Sequence, residues 1–162
     1  MKPEIRAVAL DVDGTLAGAD HRVSARSTET LAALSDRGVT PIIVTGRTET
    51  AAMAVSDGAG LTAPVISCNG SVVSVPRTGE RLLVAALDGE TVDRIVAFAA
   101  RRGIEPILWT ATGRFAEEPS DATALPELDN QPRAPTPTPH AEVRGGGSQV
   151  LLGCERRRRA GW

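Results

Sequence analysis

The stretch Ala7-Val8-Ala9-Leu10-Asp11-Val12-Asp13-Gly14-Thr15-Leu16 decides how this chain is read. Ile5 to Leu10 is an apolar run with the length of a buried strand. It stops at two aspartates one residue apart, followed by a Gly-Thr turn. In an open α/β sheet, ligands sit beyond the carboxyl ends of the strands. Two carboxylates therefore stand where chemistry is usually done. At positions i and i+2 of a strand end they can point into one site. One can serve as nucleophile or metal ligand while the other moves a proton, provided their surroundings separate their pKa values. Two like charges this close also need a cation, and Mg²⁺ favours a few carboxylates together with phosphate oxygens. Gly14 lets the backbone leave the strand sharply and approach a ligand. A bare Asp-x-Asp also reads as the polar end of a buried strand, but the whole string is far more specific.

Working outward, residues 17–23 form a short polar loop over the carboxylates, in which His21 could touch substrate but reads better as a solvent-exposed side chain. Ser24 or Ser27 can cap a helix running to about Arg37, with Leu31 and Leu34 on its buried side and Gly38 as its stop. Val39 to Val44 reads as a second buried strand, and Pro41 argues against a fully central place for it. Strand, helix and strand over this length make a βαβ unit, so the two strands are expected to be parallel. The second strand ends in Thr45-Gly46-Arg47. A hydroxyl, a glycine and a helix start suit an anion, since backbone N–H groups and the helix dipole point at it. The same residues also suit a plain strand-to-helix turn with Thr45 or Thr48 as N-cap.

A small-residue helix from about Glu49 to Asp57 is broken by Gly58 and Gly60, and Ala63 to Cys68 reads as a third strand. Asn69-Gly70 is a hairpin-turn signal before the apolar run Ser71 to Val75. After a polar turn, Arg81 to Leu87 is a strand that pairs back. Asp88 can cap a helix with Val92, Ile95, Val96 and Ala99 at helical spacing and Gly103 as its stop. Ile104 to Thr110 and Gly113 to Ala116 read as a hairpin. From Pro119 to Pro139 the chain is rich in Pro, Thr, Ala and acids and shows no helical or strand period, while Val150 to Leu152 reads as a last short strand.

Leu10 to Leu16 resembles motif I of the haloacid dehalogenase (HAD) superfamily of phosphohydrolases. Ile43-Val44-Thr45-Gly46-Arg47, one βα unit later, resembles its motif II. Ile66-Ser67-Cys68-Asn69-Gly70-Ser71 resembles the Asn-Gly motif of the Cof-like, type IIB branch, with Cys68 where that branch usually has an acid. The resemblance implies an α/β fold: a Rossmann-like parallel sheet forming the first half of the HAD core, with the start of an inserted α/β cap. It implies Asp11 as the nucleophile that forms an aspartyl-phosphate and Asp13 as the general acid/base. Mg²⁺ would be held by the Asp11 side chain and the Asp13 backbone carbonyl. Thr45 and Gly46 would bind the phosphoryl group, and Gly14, Thr15, Arg47, Asn69 and Gly70 would lie near substrate. For Asn69-Gly70, plain turn and site contact weigh equally. The activity implied is Mg²⁺-dependent hydrolysis of a small phosphorylated metabolite, such as a sugar phosphate.

The expected organisation is residues 1–87 as the N-terminal part of the core, 88–153 as a partial cap with a Pro-rich segment, and 154–162 as an Arg-rich disordered tail. Two family features find no match: a lysine on a later core strand, since Lys2 is the only lysine, and a Gly-Asp-x-x-x-Asp pair after the cap. Asp121 and Asp129 lie in the Pro-rich stretch instead. The expectation is a truncated or frameshifted product in which family sequence ends near Leu152 or Gly153. Its motif I strand would then present an open edge, a template for a partner or for self-association. The alternative function is accordingly a catalytically inactive fragment that needs a partner chain or is unstable. A nucleotide-sugar glycosyltransferase with an Asp-x-Asp metal site leaves Thr45-Gly46-Arg47 unexplained, and no GxGxxG or GxxxxGK[ST] follows a strand.

Composition agrees with a single ordinary domain. The 162 residues are 41% hydrophobic but only 2% aromatic, so the core must be built from Ala, Val, Leu and Ile. A net charge of −2 gives no drive toward nucleic acid or membrane. Arg156 to Arg159 reads as a charged tail rather than a nucleic-acid patch. Cys68 and Cys154 have no metal-ligand spacing and read as reduced thiols. With no long apolar span and no signal-peptide pattern, the expected compartment is the cytoplasm.

Overall fold

A computed structural model describes residues 4–104, 106–110, 114–116, 136–137 and 151–154. The chain divides into two compact units, Met1–Val84 and Ala85–Trp162.

In the first unit, β1 (Ala7–Leu10) and β2 (Thr40–Ile43) flank helix α1 (Ala25–Asp36) and pair in parallel, with Ala7 beside Thr40 and Leu10 beside Ile43. This is the expected βαβ unit. Ser24 is the N-cap of α1: its hydroxyl accepts the Ser27 N–H at 3.1 Å. Gly38 takes a left-handed φ of +74° just past the helix end, a conformation costly for any residue with a Cβ. Replacing Ser24 by Ala is expected to destabilise the chain by about 1 kcal/mol, read as a lower urea midpoint at unchanged slope.

Pro41 fits for a specific reason. The N–H groups of Thr40 and Val44 donate to Arg6, just before β1, and to Leu10 at its end, so those of the alternate residues point away from β1. On that far side β2 meets β3 (Val65–Ser67) only at its end, through a parallel Val44–Ile66 bridge in which the Thr45 N–H donates to Ile66 at 2.9 Å. The missing Pro41 N–H therefore faces no partner strand among the described residues. Helix α2 (Glu49–Gly58) links β2 to β3, and β4 (Val72–Ser74) and β5 (Arg81–Val84) complete an antiparallel sheet in the order β3-β4-β5.

The core of this unit is aliphatic, as the composition demands: Leu31 of α1, Ile43 of β2, Ala52 and Val55 of α2 and Val65 of β3 are buried together with Val12. One expectation fails. The run Ile5 to Leu10 reads as buried, yet Ile5 is 70% exposed and Ala7 and Ala9 are exposed. Among the described residues β1 has a strand partner on one edge only, so the apolar residues of that run lack the second neighbour that would cover them.

In the second unit, Asp88 caps α3 (Gly89–Arg101) by accepting the Thr91 N–H at 2.8 Å. The four-stranded sheet follows the order β8-β7-β6-β9, with β6 (Pro106–Trp109), β7 (Arg114–Ala116), β8 (Thr136–Pro137) and β9 (Leu151–Cys154). The β6–β7 and β6–β9 pairs are antiparallel and β7–β8 is parallel. Val92 of α3 packs with Leu108 of β6. The expected hairpin is present. Two differences stand out. Thr136–Pro137 forms a short edge strand inside the stretch read as aperiodic, and the last strand runs on to Cys154, which faces Pro106. Asp121, Asp129 and the run Arg156–Arg159 lie outside the described residues.

Candidate active site

Strand alternation places the two aspartates. Val12 is fully buried in the core, so its neighbours Asp11 and Asp13 emerge on the other side, Asp11 exposed and Asp13 partly so. The turn that follows folds tightly on Val12, whose carbonyl accepts N–H groups from Thr15, Leu16 and Ala17 at 3.2, 2.9 and 2.8 Å. Gly14 adopts a φ of +78° with open space where a Cβ would stand, and Thr15 is exposed beside it. Because β1 and β2 are parallel, the Thr45-Gly46-Arg47 turn ends β2 alongside the aspartates.

Asp13 is clamped. The buried guanidinium of Arg47 donates from Nε to Oδ2 at 2.9 Å and from Nη2 to Oδ1 at 2.8 Å, and Nη2 also donates to the His21 carbonyl at 2.8 Å. His21 Nδ1 lies 3.2 Å from Asp13 Oδ1. The Arg47 guanidinium, opposed by burial and helped by His21, holds the Asp13 carboxyl below the usual range. Asp11, by contrast, makes no hydrogen bond or ion pair among the described residues.

The Thr45-Gly46-Arg47 turn is held from β2, β3 and the hairpin turn. The Thr45 hydroxyl oxygen accepts the Arg47 N–H at 3.2 Å, which leaves the hydroxyl hydrogen to donate elsewhere. The Asn69 N–H donates to the Thr45 carbonyl at 3.2 Å and the Cys68 N–H to the Arg47 carbonyl at 2.8 Å. Cys68, Asn69 and Gly70 all have left-handed φ values, 53°, 55° and 90°. A Cβ added to Gly46 would stand 2.8 Å from Asn69 Oδ1. So Asn69-Gly70 is both a hairpin turn between β3 and β4 and a direct support of the Thr45-Gly46 turn, with Asn69 and Gly70 themselves exposed. Burial raises the Cys68 thiol, which suits an inert core sulfur rather than a nucleophile.

Two features escaped the sequence reading. His21 is not simply solvated; its ring meets Asp13. Residues 17–23 fold back through bridges from Ala17 to both Asp13 and Val23, and no local pattern marks that closure. The second is Glu49, the first residue of α2, which accepts a 2.6 Å bond from Arg81 Nη2 and a short bond from the Ser74 hydroxyl. Burial pushes Glu49 up, but Arg81 and Ser74 more than offset it and leave the carboxyl below its usual range.

Both carboxylates thus release protons more readily folded than unfolded. Their contribution to stability is complete above the ordinary carboxylate range near pH ~4 and is lost as pH falls through the depressed folded values. The melting temperature is expected to hold from about pH 8 to about pH 5 and to decline below about pH 4, less steeply in Arg47→Met. A decline already under way between neutrality and about pH 5 would contradict this assignment.

The donor set can be tested against Mg²⁺. Asp11 offers an unengaged carboxylate, while the Asp13 side chain is committed to Arg47 and only its backbone carbonyl, left unused by the turn, can contribute. Among the described residues no group of three or more His, Cys, Asp or Glu side chains converges on one point. One carboxylate and one carbonyl suit Mg²⁺, which keeps several waters and takes the rest of its shell from phosphate.

A family model described as haloacid dehalogenase-like hydrolase matches residues 8–142. A phosphoglycolate phosphatase from Aeropyrum pernix is 34% identical over 117 residues, 70% of this chain and 46% of that protein. A phosphatase structure of the superfamily from Bacteroides thetaiotaomicron superposes with a TM-score of 0.73 at 23% identity, covering 91% of this chain and 55% of its own. The HAD subclass IIB sugar phosphatase BT4131 superposes with a TM-score of 0.57 at 26% identity, covering 68% of this chain and 43% of that one. The chain spans between 25% and 46% of the length of the curated relatives it matches. No helix among the described residues is long and apolar enough to cross a membrane.

Proposed function

From its place in the haloacid dehalogenase-like hydrolase family, to which this chain belongs as a member of Cof-like type, we propose that it carries the phosphoryl-accepting half of a phosphohydrolase site acting on small phosphorylated metabolites. The observation that carries the reading is Asp11: an exposed carboxylate with no partner among the described residues, at the carboxyl end of β1 and beside the Thr45-Gly46 turn that ends the neighbouring parallel strand. Relatives named as phosphoglycolate phosphatases and a structural neighbour named as a sugar phosphatase support the substrate class.

In this reading an Asp11 oxygen attacks phosphorus, the P–O bond to the leaving group breaks, and an aspartyl-phosphate forms. Thr45 donates its hydroxyl hydrogen to a phosphoryl oxygen, and the Gly46 backbone lets that oxygen come close. Asp13 passes a proton to the leaving oxygen and then takes one from the water that hydrolyses the intermediate. Its Arg47 clamp favours the second, proton-accepting task. When bound, Mg²⁺ supplies positive charge to the phosphoryl oxygens through the Asp11 side chain and the Asp13 carbonyl. Phosphoryl transfer depends mainly on positioning and charge neutralisation. These 162 residues contain one lysine, Lys2, so turnover by the chain alone is expected to be slow. Mg²⁺-dependent release of p-nitrophenol from p-nitrophenyl phosphate, lost in Asp11→Asn, tests the reading.

The exposed edge of β1 favours a second reading, in which the chain is inactive alone and acts, or is stable, only with a partner or a second copy along that edge. A protein that elutes as a monomer by light scattering, melts cooperatively and turns over phosphate would eliminate it.

A further inference from the structure

We propose that Arg81 is a positioning residue of this site: its ion pair with Glu49 cancels the one carboxylate in the first turn of α2 and so keeps that helix end open to a phosphoryl group. The inference deepens the phosphohydrolase reading above and rests on it.

The Thr45-Gly46-Arg47 turn leads through Thr48 into the N-terminus of α2, where backbone N–H groups and the helix dipole favour negative charge. Two side chains of this chain stand to compete for that place. The first is the N-cap, Thr48. Its hydroxyl makes no capping bond and is buried without a hydrogen-bond partner among the described residues. The second is Glu49, the first residue of the helix and the one acid of its first turn. As a bare carboxylate so close to the turn it would repel a phosphoryl group, and a largely buried charge is poorly screened by salt.

The fold ties Glu49 to the β4–β5 hairpin instead. Arg81 Nε donates to Oε1 at 3.1 Å and to Oε2 at 3.0 Å, and Nη2 donates to Oε2 at 2.6 Å. The Ser74 hydroxyl donates to Oε1. The Glu49 side chain is 11% exposed, so its charge is compensated by Arg81 rather than by water. Cys68, the other titratable group against it, adds no negative charge, because burial pushes its thiol up. The pair is neutral as a unit and leaves the dipole of α2 unopposed. The turn between β3 and β4 carries Cys68 and Asn69, whose N–H groups hold the Arg47 and Thr45 carbonyls. One sheet therefore shapes the turn and also removes the charge that would oppose its ligand.

Inorganic phosphate, titrated calorimetrically into the full chain with Mg²⁺ present, separates this charge role from a simple tether. Arg81→Met leaves Glu49 uncompensated and should weaken phosphate binding about fivefold. Arg81→Lys keeps the charge without the fork, and should stay within about twofold of the wild type although it melts lower. Glu49→Gln should bind phosphate at least as tightly as the wild type, and adding it to Arg81→Met should restore the wild-type affinity. A tether gives the opposite pattern, with losses in Arg81→Lys and Glu49→Gln and no repair in the double variant, and that pattern overturns the proposal. Full affinity in Arg81→Met overturns it as well. If Arg81→Met does not fold, Glu49→Gln and Arg81→Lys decide by themselves. A wild type that binds no phosphate removes the phosphohydrolase reading and this proposal together, whereas binding that is indifferent to these charges removes the proposal alone.

Discussion

Asp13→Ala is expected to lower stability by about 3 kcal/mol, a fall in melting temperature on the order of 15 °C, whereas Asp11→Asn leaves the melting transition where it was and removes phosphate release. The two aspartates are neighbours in sequence but not in energetics. Arg47 is 1% exposed at its side chain, so removing Asp13 takes the carboxylate away from a guanidinium that has already given up its water. The reverse change is milder. Asp13 is 35% exposed, so in Arg47→Met its carboxylate can be rehydrated, and the expected cost is about 1–2 kcal/mol. The order Asp13→Ala above Arg47→Met is therefore the informative result in urea or thermal unfolding. Equal costs would mean that water reaches the guanidinium after all. Asp11 has nothing to lose in stability, since no group among the described residues bonds to it. As the nucleophile it has everything to lose in catalysis, where Asn should reduce turnover at least about a thousandfold. Residual Mg²⁺-dependent turnover in Asp11→Asn near the wild-type rate would assign the chemistry to another group.

Gly46→Ala is the second large effect. Its Cβ would stand 2.8 Å from Oδ1 and 3.5 Å from Cγ of Asn69. Asn69 can give way only by swinging its exposed side chain aside, because its backbone is left-handed and its N–H is tied to the Thr45 carbonyl. The expected destabilisation is about 1–3 kcal/mol, accompanied by displacement of the Thr45 hydroxyl and loss of phosphate binding. The proposed cause is testable by repair. Asn69→Gly removes the obstructing oxygen and also accepts the left-handed backbone without strain. Gly46→Ala combined with Asn69→Gly should regain most of the lost stability, so the two changes are strongly non-additive in a double-mutant cycle. Additive costs would show that the methyl clashes with something other than Asn69.

The same two sites show why some of the protein is legible along the chain and some is not. The βαβ unit, the Ser24 cap, the Gly38 stop, the α2 segment and the hairpin at Asn69-Gly70 depend on neighbours within a few residues, and each has a composition or spacing that announces it. The Asp-x-Asp-Gly-Thr and Thr-Gly-Arg strings are legible for the same reason, since each occupies one strand end. The apolar run of β1 misleads on burial, because it reports only what a strand could bury against; the open edge follows instead from the family features that find no match after the cap.

Asp13 and Arg47 are 34 residues apart and Glu49 and Arg81 are 32 apart, and nothing local in either pair hints at the other. They meet because the parallel register of β1 and β2 brings the two strand ends level, and because the β3-β4-β5 hairpins return Arg81 to the first turn of α2. The seating of Asn69 on Gly46 and of the His21 ring on Asp13 has the same origin. Local order, family and the identity of the reacting carboxylates are properties of short segments, which backbone propensity and spacing specify directly. Which carboxylate is clamped and which is left free depend on long-range pairing and burial, and these exist only once the chain has folded.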